Sequence, residues 1–206
     1  MKLKINLFFF LSFLFFATYS QNSSDDINLP DLATYNKERN NITKTGMIIL
    51  SSWAISNVAV NGGILLGSDS FSKENKYFMQ MNIYWNTVNL VIGGLGLYSA
   101  INGDQNLSLA NSINEQSSIE KILLLNTGLD VAYIAGGFWL MEKSKRSTEN
   151  PERWKGYGKS LILQGGFLLS FDLVLYFIHN SHGEQLNNIV EMISLNENGV
   201  GFKLKF

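Results

Sequence analysis

The chain has 206 residues, of which 46% are apolar and only 16% charged, against about 25% charged in ordinary soluble domains. Sixteen Lys and Arg against seventeen Asp and Glu leave a net charge of −1, too weak a field to draw the chain onto nucleic acid. The absence of Cys excludes disulfides, thiolate nucleophiles, iron–sulfur clusters and zinc fingers, and two Pro beside 18 Gly exclude collagen and low-complexity disorder.

The first twenty residues read as a secretory signal peptide. Lys2 and Lys4 form a basic start, Ile5 to Phe16 an apolar stretch, and Thr18 and Ser20 are small residues before a cleavage point at Gln21. The apolar stretch is shorter than the roughly 20 residues that cross a bilayer. Residues 21–45 then make an exported polar segment, in which Asp31 to Lys44 has an acidic start, good helix formers and no breaker. It is expected to be a helix running into the first span.

Four long apolar stretches follow, at 46–67, 77–101, 122–141 and 161–178. At about 1.5 Å per residue each can cross a hydrocarbon core of about 30 Å with some tilt or flanking adjustment. They are apolar around most of their circumference, unlike the helices of a soluble protein. The sequence therefore predicts an all-α membrane protein: a four-transmembrane-helix bundle over 46–180, with an N-terminal signal peptide and a polar N-terminal helix. The connection 102–121 reads as a solvated loop, with Ser117 to Glu120 capping the third helix. The exported tail 181–206 alternates around Asn196-Glu197-Asn198-Gly199, which predicts a short C-terminal β-hairpin.

Basic residues set the orientation. The connections 68–76 and 142–160 carry Lys73, Lys76, Lys143, Lys145, Arg146, Arg153, Lys155 and Lys159, while the longer remaining segments carry fewer. By the positive-inside rule those connections are cytoplasmic, and both mature termini are exported from a bacterial inner membrane.

The polar residues inside the spans are the candidate site. Asp130 and Asp172 lie in apolar stretches that hold no Lys, Arg or His, so they must be protonated, hydrated or held by hydroxyls and amides, and such groups are functional candidates. From the exported boundary they lie about 12 Å and 9 Å deep, close enough to meet. Tyr133 follows Asp130 and Tyr176 follows Asp172 at helical spacing, with Asn126 one turn before Asp130 and Gln164 two turns before Asp172. Asn82, Asn86 and Asn89 form one stripe and Asn57 and Asn61 another; depth counting pairs Asn57 with Asn89 and Asn61 with Asn86 as amide rungs. Glycines Gly62, Gly63, Gly67, Gly93, Gly94, Gly128, Gly136, Gly137, Gly165 and Gly166 offer small surfaces for helix packing. His179, His182 and Glu184 are the residues from which a metal site would be built, although no metal is expected.

No GxSxG, HExxH or Walker sequence occurs, so neither an enzyme nor a cofactor is expected. The segments 82–89 (NIYWNTVN), 125–133 (LNTGLDVAY) and 158–172 (GKSLILQGGFLLSFD) resemble an uncharacterised family of bacteroidete integral membrane proteins, a domain of unknown function. The resemblance implies a bacterial envelope setting and no activity. Three function classes follow. The first is a structural or interaction protein whose partners are the lipid bilayer and other membrane proteins or further copies of itself. The second is a proton-linked carrier or ligand-binding protein using Asp130 and Asp172, and the third an intramembrane aspartyl hydrolase built on the same pair.

Overall fold

The computed structural model consists of four helices: α1 (Pro30–Gly67), α2 (Lys73–Asn102), α3 (Leu109–Arg146) and α4 (Pro151–Asn196). It describes the backbone of residues 30–67 and 70–196 and the side chains of residues 32–67 and 70–186. The expected signal peptide lies outside the described residues. Helix starts follow local chemistry. The Ser72 and Ser108 hydroxyls each accept the backbone N–H three residues on, at 3.3 Å, satisfying a donor with no partner inside the helix. Pro151 opens α4, where its missing N–H costs nothing. Asn150 before it holds φ 52°, a left-handed conformation that Asn tolerates.

Two expectations are corrected and a third is met in part. The third helix starts at Leu109 under a Ser108 cap, so most of the connection expected to be a solvated loop is helix and Ser117 caps nothing. The tail is helical through Asn196, and no strand occurs among the described residues. Residues 185–196 (QLNNIVEMISLN) contain no Gly or Pro, and lengthening an existing helix avoids the nucleation cost that an isolated hairpin would meet. The second arm of that hairpin lies outside the described residues. Finally, α1, α3 and α4 are long and apolar enough to cross a membrane, but α2 is not among them. Gln80, Asn82, Asn86 and Asn89 lower its mean hydropathy.

The helices run up and down. α4 packs along α3 and α2, α2 packs along α1, and α1 meets α4 only over short stretches and α3 hardly at all. At the crossing of α3 and α4, a Cβ on Gly137 would lie 2.7 Å from the Gly158 carbonyl and one on Gly158 2.6 Å from the Gly137 carbonyl, so this approach requires glycine on both sides.

The polarity of the fold is inverted relative to a soluble bundle. Ile49, Ile55, Val60, Val91, Leu95, Val131, Phe138 and Val174 are exposed, whereas Asn61, Asn82, Asn86, Asn89, Asp130, Gln164 and Asp172 are buried. A surface of this kind belongs in hydrocarbon. At 38 and 46 residues, α1 and α4 measure about 57 Å and 69 Å and overshoot a core of about 30 Å. Their excess forms a cap: residues 30–45 of α1 and 179–186 of α4 close against 109–121 of α3, with Leu32, Tyr35 and Leu186 as a small apolar core. Lys37, Glu38, Arg39, Lys44, Glu115, Glu120 and Lys121 in the cap place it outside the hydrocarbon layer. At the opposite end Glu74 bridges Lys155 at 2.8 Å and Lys159 at 2.5 Å, and Lys143 lies 3.8 Å over the Trp154 ring.

Candidate functional site

A column of buried polar groups runs along the bundle. On α4 it comprises Ser160, Gln164, Asp172, His179 and His182, and on α3 it comprises Ser112, Gln116 and Asp130. The α3 stripe continues at steps of seven through Leu123, Asp130, Gly137 and Ser144, a spacing of two turns that keeps one face inward.

Gln164 and Asn82 form the centre of the amide cluster. Gln164 Nε2 donates to Asn82 Oδ1 at 2.9 Å and to Asn57 Oδ1 at 3.3 Å, and Trp53 Nε1 donates to Gln164 Oε1 at 3.0 Å. Asn82 Oδ1 also accepts the Ser160 hydroxyl at 2.7 Å, and Asn82 Nδ2 reaches Asn61 Oδ1 at 3.5 Å. One cluster thus joins α1, α2 and α4. Asn86 donates to the Asn82 carbonyl at 2.8 Å and Asn89 reaches Asn86 at 3.5 Å. The rungs therefore differ from those that depth counting gives: Asn61 meets Asn82 rather than Asn86, and Asn57 meets Gln164 rather than Asn89. The short 68–72 connection sets this register, holding residues close to the turn on α1 opposite residues close to it on α2.

One level nearer the cap, Asp130 and Asp172 are 2% and 6% exposed and their carboxyls face one another closely enough to interact, while Asp130 Oδ2 has no hydrogen-bond partner among the described residues. The Tyr133 ring lies edge-on to Trp85 at 4.7 Å, and that of Tyr176 packs against Phe177 at 5.5 Å. Asn126 is half-buried one turn before Asp130.

The glycines sort sharply. Added Cβ atoms at Gly93, Gly137 and Gly165 would strike a neighbouring helix, whereas Gly62, Gly63, Gly67, Gly94, Gly128, Gly136 and Gly166 have nothing within 4 Å. The close approaches to another helix's backbone that sequence reasoning missed are Gly156 against the Glu74 carbonyl and Gly158 against Gly137.

The cap is the larger omission. Tyr35 donates to Gln116 Oε1 at 2.9 Å and stacks on His182 at 4.2 Å. Gln116 Nε2 donates to the His179 carbonyl at 2.6 Å and to Glu120 at 2.7 Å, and Arg39 is held by Asn36 at 2.9 Å. Burial pushes the Tyr35 phenol up despite the opposing Arg39 charge, and pushes the Arg39 guanidinium down. Burial, then His182 and Arg39, push His179 down to about 4. His179 and His182 are buried while Glu184 is exposed, and no three His, Asp or Glu side chains among the described residues converge on a metal position. Steps of four from Ser112 to Gln116 to Glu120 were the available signal for the cap.

Between cap and amide cluster the α1–α4 seam opens sideways into a groove of about 550 Å³. Asn41 and Thr45 line its cap end, and Ile49, Phe171, Val174 and Leu175 line its body.

A family model described as a family of unknown function (DUF6992) matches residues 49–173. That stretch holds the amide cluster and both aspartates, while Tyr35, Arg39, His179 and His182 lie outside it. No curated protein and no solved structure matches the chain.

Proposed function

The chain belongs to the DUF6992 family of unknown function, and we propose that it is a non-enzymatic structural or interaction protein of the bacterial inner membrane, with α2 as a fourth span packed against α1 and α4. The carrying observation is the Gln164–Asn82 cluster, whose donors and acceptors are matched across three helices. Polar groups that satisfy one another hold helices in register and leave nothing over for a solute. The basic end at Lys73, Lys143, Lys155 and Lys159 faces the cytoplasm and the cap is exported. Partners are lipid and other membrane proteins or further copies of the chain.

The natural lack of Cys permits the test. Single Cys at Asn57, Asn61, Asn89, Asp130 and Asp172 are treated with an impermeant maleimide from each side of the membrane, labelling requiring water and a thiolate. Protection at all five positions, with loop controls labelled, supports the scaffold; labelling of mid-span positions in folded protein overturns it.

A second reading rests on the paired carboxyls. Two buried carboxyls close enough to interact can share a proton, and Asp130 Oδ2 has no partner among the described residues, which suits a proton-linked carrier or, with water present, an aspartyl hydrolase. Proton-coupled flux that survives Asp130→Asn/Asp172→Asn would eliminate the carrier.

A further inference from the structure

The described hydrogen bonds between α1 and α4 fall in two places: the Trp53–Gln164–Asn57 contact deep in the bundle, and the cap, where Thr43 meets His179 and His182 meets the Tyr35 carbonyl. The groove separates them, so the cap alone ties the outer arm of α1 to α3 and α4.

The hydrogen bonds assign the His179 tautomer. Thr43 Oγ1 donates to the Arg39 carbonyl at 3.2 Å, so at its 3.3 Å contact with His179 Nε2 it accepts, and the ring proton is on Nε2. Nδ1 is then a bare acceptor, fully buried and without a partner among the described residues. A proton added there would make an N–H with nothing to receive it. The groups facing the imidazole offer little relief. From α1 come the Arg39 cation and the Tyr35 phenol, the latter bonded to Gln116. From α3, Glu120 is bonded to Gln116, and Glu115 acts on Arg39. From α4 comes His182. The α2–α3 connection meets α1 through the Gly103 and Gln105 carbonyls, with Asp104 bonded to its own turn at Asn106. His182 is in a different position: its Nε2 donates to the Tyr35 carbonyl and its Nδ1 lies 3.9 Å from Glu38 Oε2.

We propose that His179 is an acid-labile latch: neutral, it closes the outer arm of α1 onto α3 and α4, and protonation at Nδ1 releases the arm and widens the cap end of the groove. An imidazole held down to about 4 when closed and returned to its ordinary 6.5 when open favours opening as pH falls. Between pH 7.5 and pH 5 the open-to-closed ratio rises about 30-fold.

The test places a thiol in the cap of the full chain in bicelles. Ser112→Cys is buried on the α3 face that carries Gln116, and Ser118→Cys is an exposed control. Their labelling-rate ratio cancels thiol chemistry and reports opening. The ratio is expected to rise about 30-fold from pH 7.5 to pH 5, to be flat in His179→Gln, and to keep its rise in His182→Gln. A flat wild-type ratio, or an undiminished rise in His179→Gln, overturns the latch. Should His179→Gln label at the control rate even at pH 7.5, nitrogen NMR of the wild-type imidazole decides. A neutral Nε2–H ring at pH 5 in the closed cap upholds the latch, and an imidazolium there overturns it.

Discussion

Replacing Gln164 by Leu keeps roughly the same volume and removes every polar atom of the residue that joins three helices. Three bonds disappear: two donated by Nε2, to Asn82 and Asn57, and one accepted by Oε1 from Trp53. In membranes such bonds average about 0.6 kcal/mol and reach about 1.7, which gives roughly 2 kcal/mol for three average bonds. The indole N–H of Trp53 loses its acceptor, and Asn57 Oδ1 loses its donor, adding about 1 kcal/mol or more for groups left unpaired. Asn82 Oδ1 keeps the Ser160 hydroxyl at 2.7 Å and adds little. The expected loss is about 2 to 4 kcal/mol, measured by steric trapping in bicelles. A cycle with Asn82→Leu isolates the direct contact, whose coupling is expected at about 0.6 to 1.7 kcal/mol. A loss under about 0.5 kcal/mol, the scatter of ordinary surface substitutions, would refute the claim that the cluster holds the bundle together.

Glycine substitutions separate real crossings from open faces. Gly158→Val is expected to cost about 1 to 3 kcal/mol by overpacking against the Gly137 carbonyl, whereas Gly136→Ala, with open space around it, should be neutral or stabilising by up to about 1 kcal/mol through helix propensity. The same unfolding assay reads both. At the basic end, hydrogen bonds from Lys155 and Lys159 hold the Glu74 carboxyl below its ordinary 4.5. Its contribution is therefore present above that pH and is lost as pH falls through the depressed folded value. Glu74→Gln should remove this acid dependence in a pH series of melting curves and cost under about 1 kcal/mol, since the pair is partly solvated. In the cap, Tyr35→Phe keeps the stack on His182 and loses the bond to Gln116, which should speed amide exchange in residues 32–45 by about fivefold for a loss of about 1 kcal/mol; unchanged exchange would mean the bond does not hold the arm.

What the sequence revealed depended on whether a residue's environment could be judged from its own helix. The outward apolar faces and the inward stripes of Asn and Asp follow from periodicity alone, and the meeting of Asp130 with Asp172 follows from counting depth along two antiparallel helices. Partner choice does not follow in that way. The amide rungs shifted by a turn because a five-residue connection, rather than a common membrane boundary, sets the register of α1 against α2. Ser160 and Trp53 were passed over for the same reason: one lies just outside an apolar stretch and the other reads as an apolar residue, and only the position of Gln164 makes both polar partners.

The cap was illegible on different grounds. Residues 109–121 are polar on every face, so no hydrophobic stripe marks a buried side, and their burial depends on two long helices that overshoot the membrane together. Once α1, α3 and α4 extend past the hydrocarbon layer they must cover one another, and the side chains available for that contact are Tyr35, Arg39, Gln116, His179 and His182. A core built mainly of polar groups is held by hydrogen bonds more than by apolar area, and the contact at the His179 imidazole depends on the protonation state of the ring. The lipid-facing contacts of the apolar spans below lack that dependence, so a change in the pH of the surrounding solution acts on the closure of the cap without touching the outer surface of the bundle.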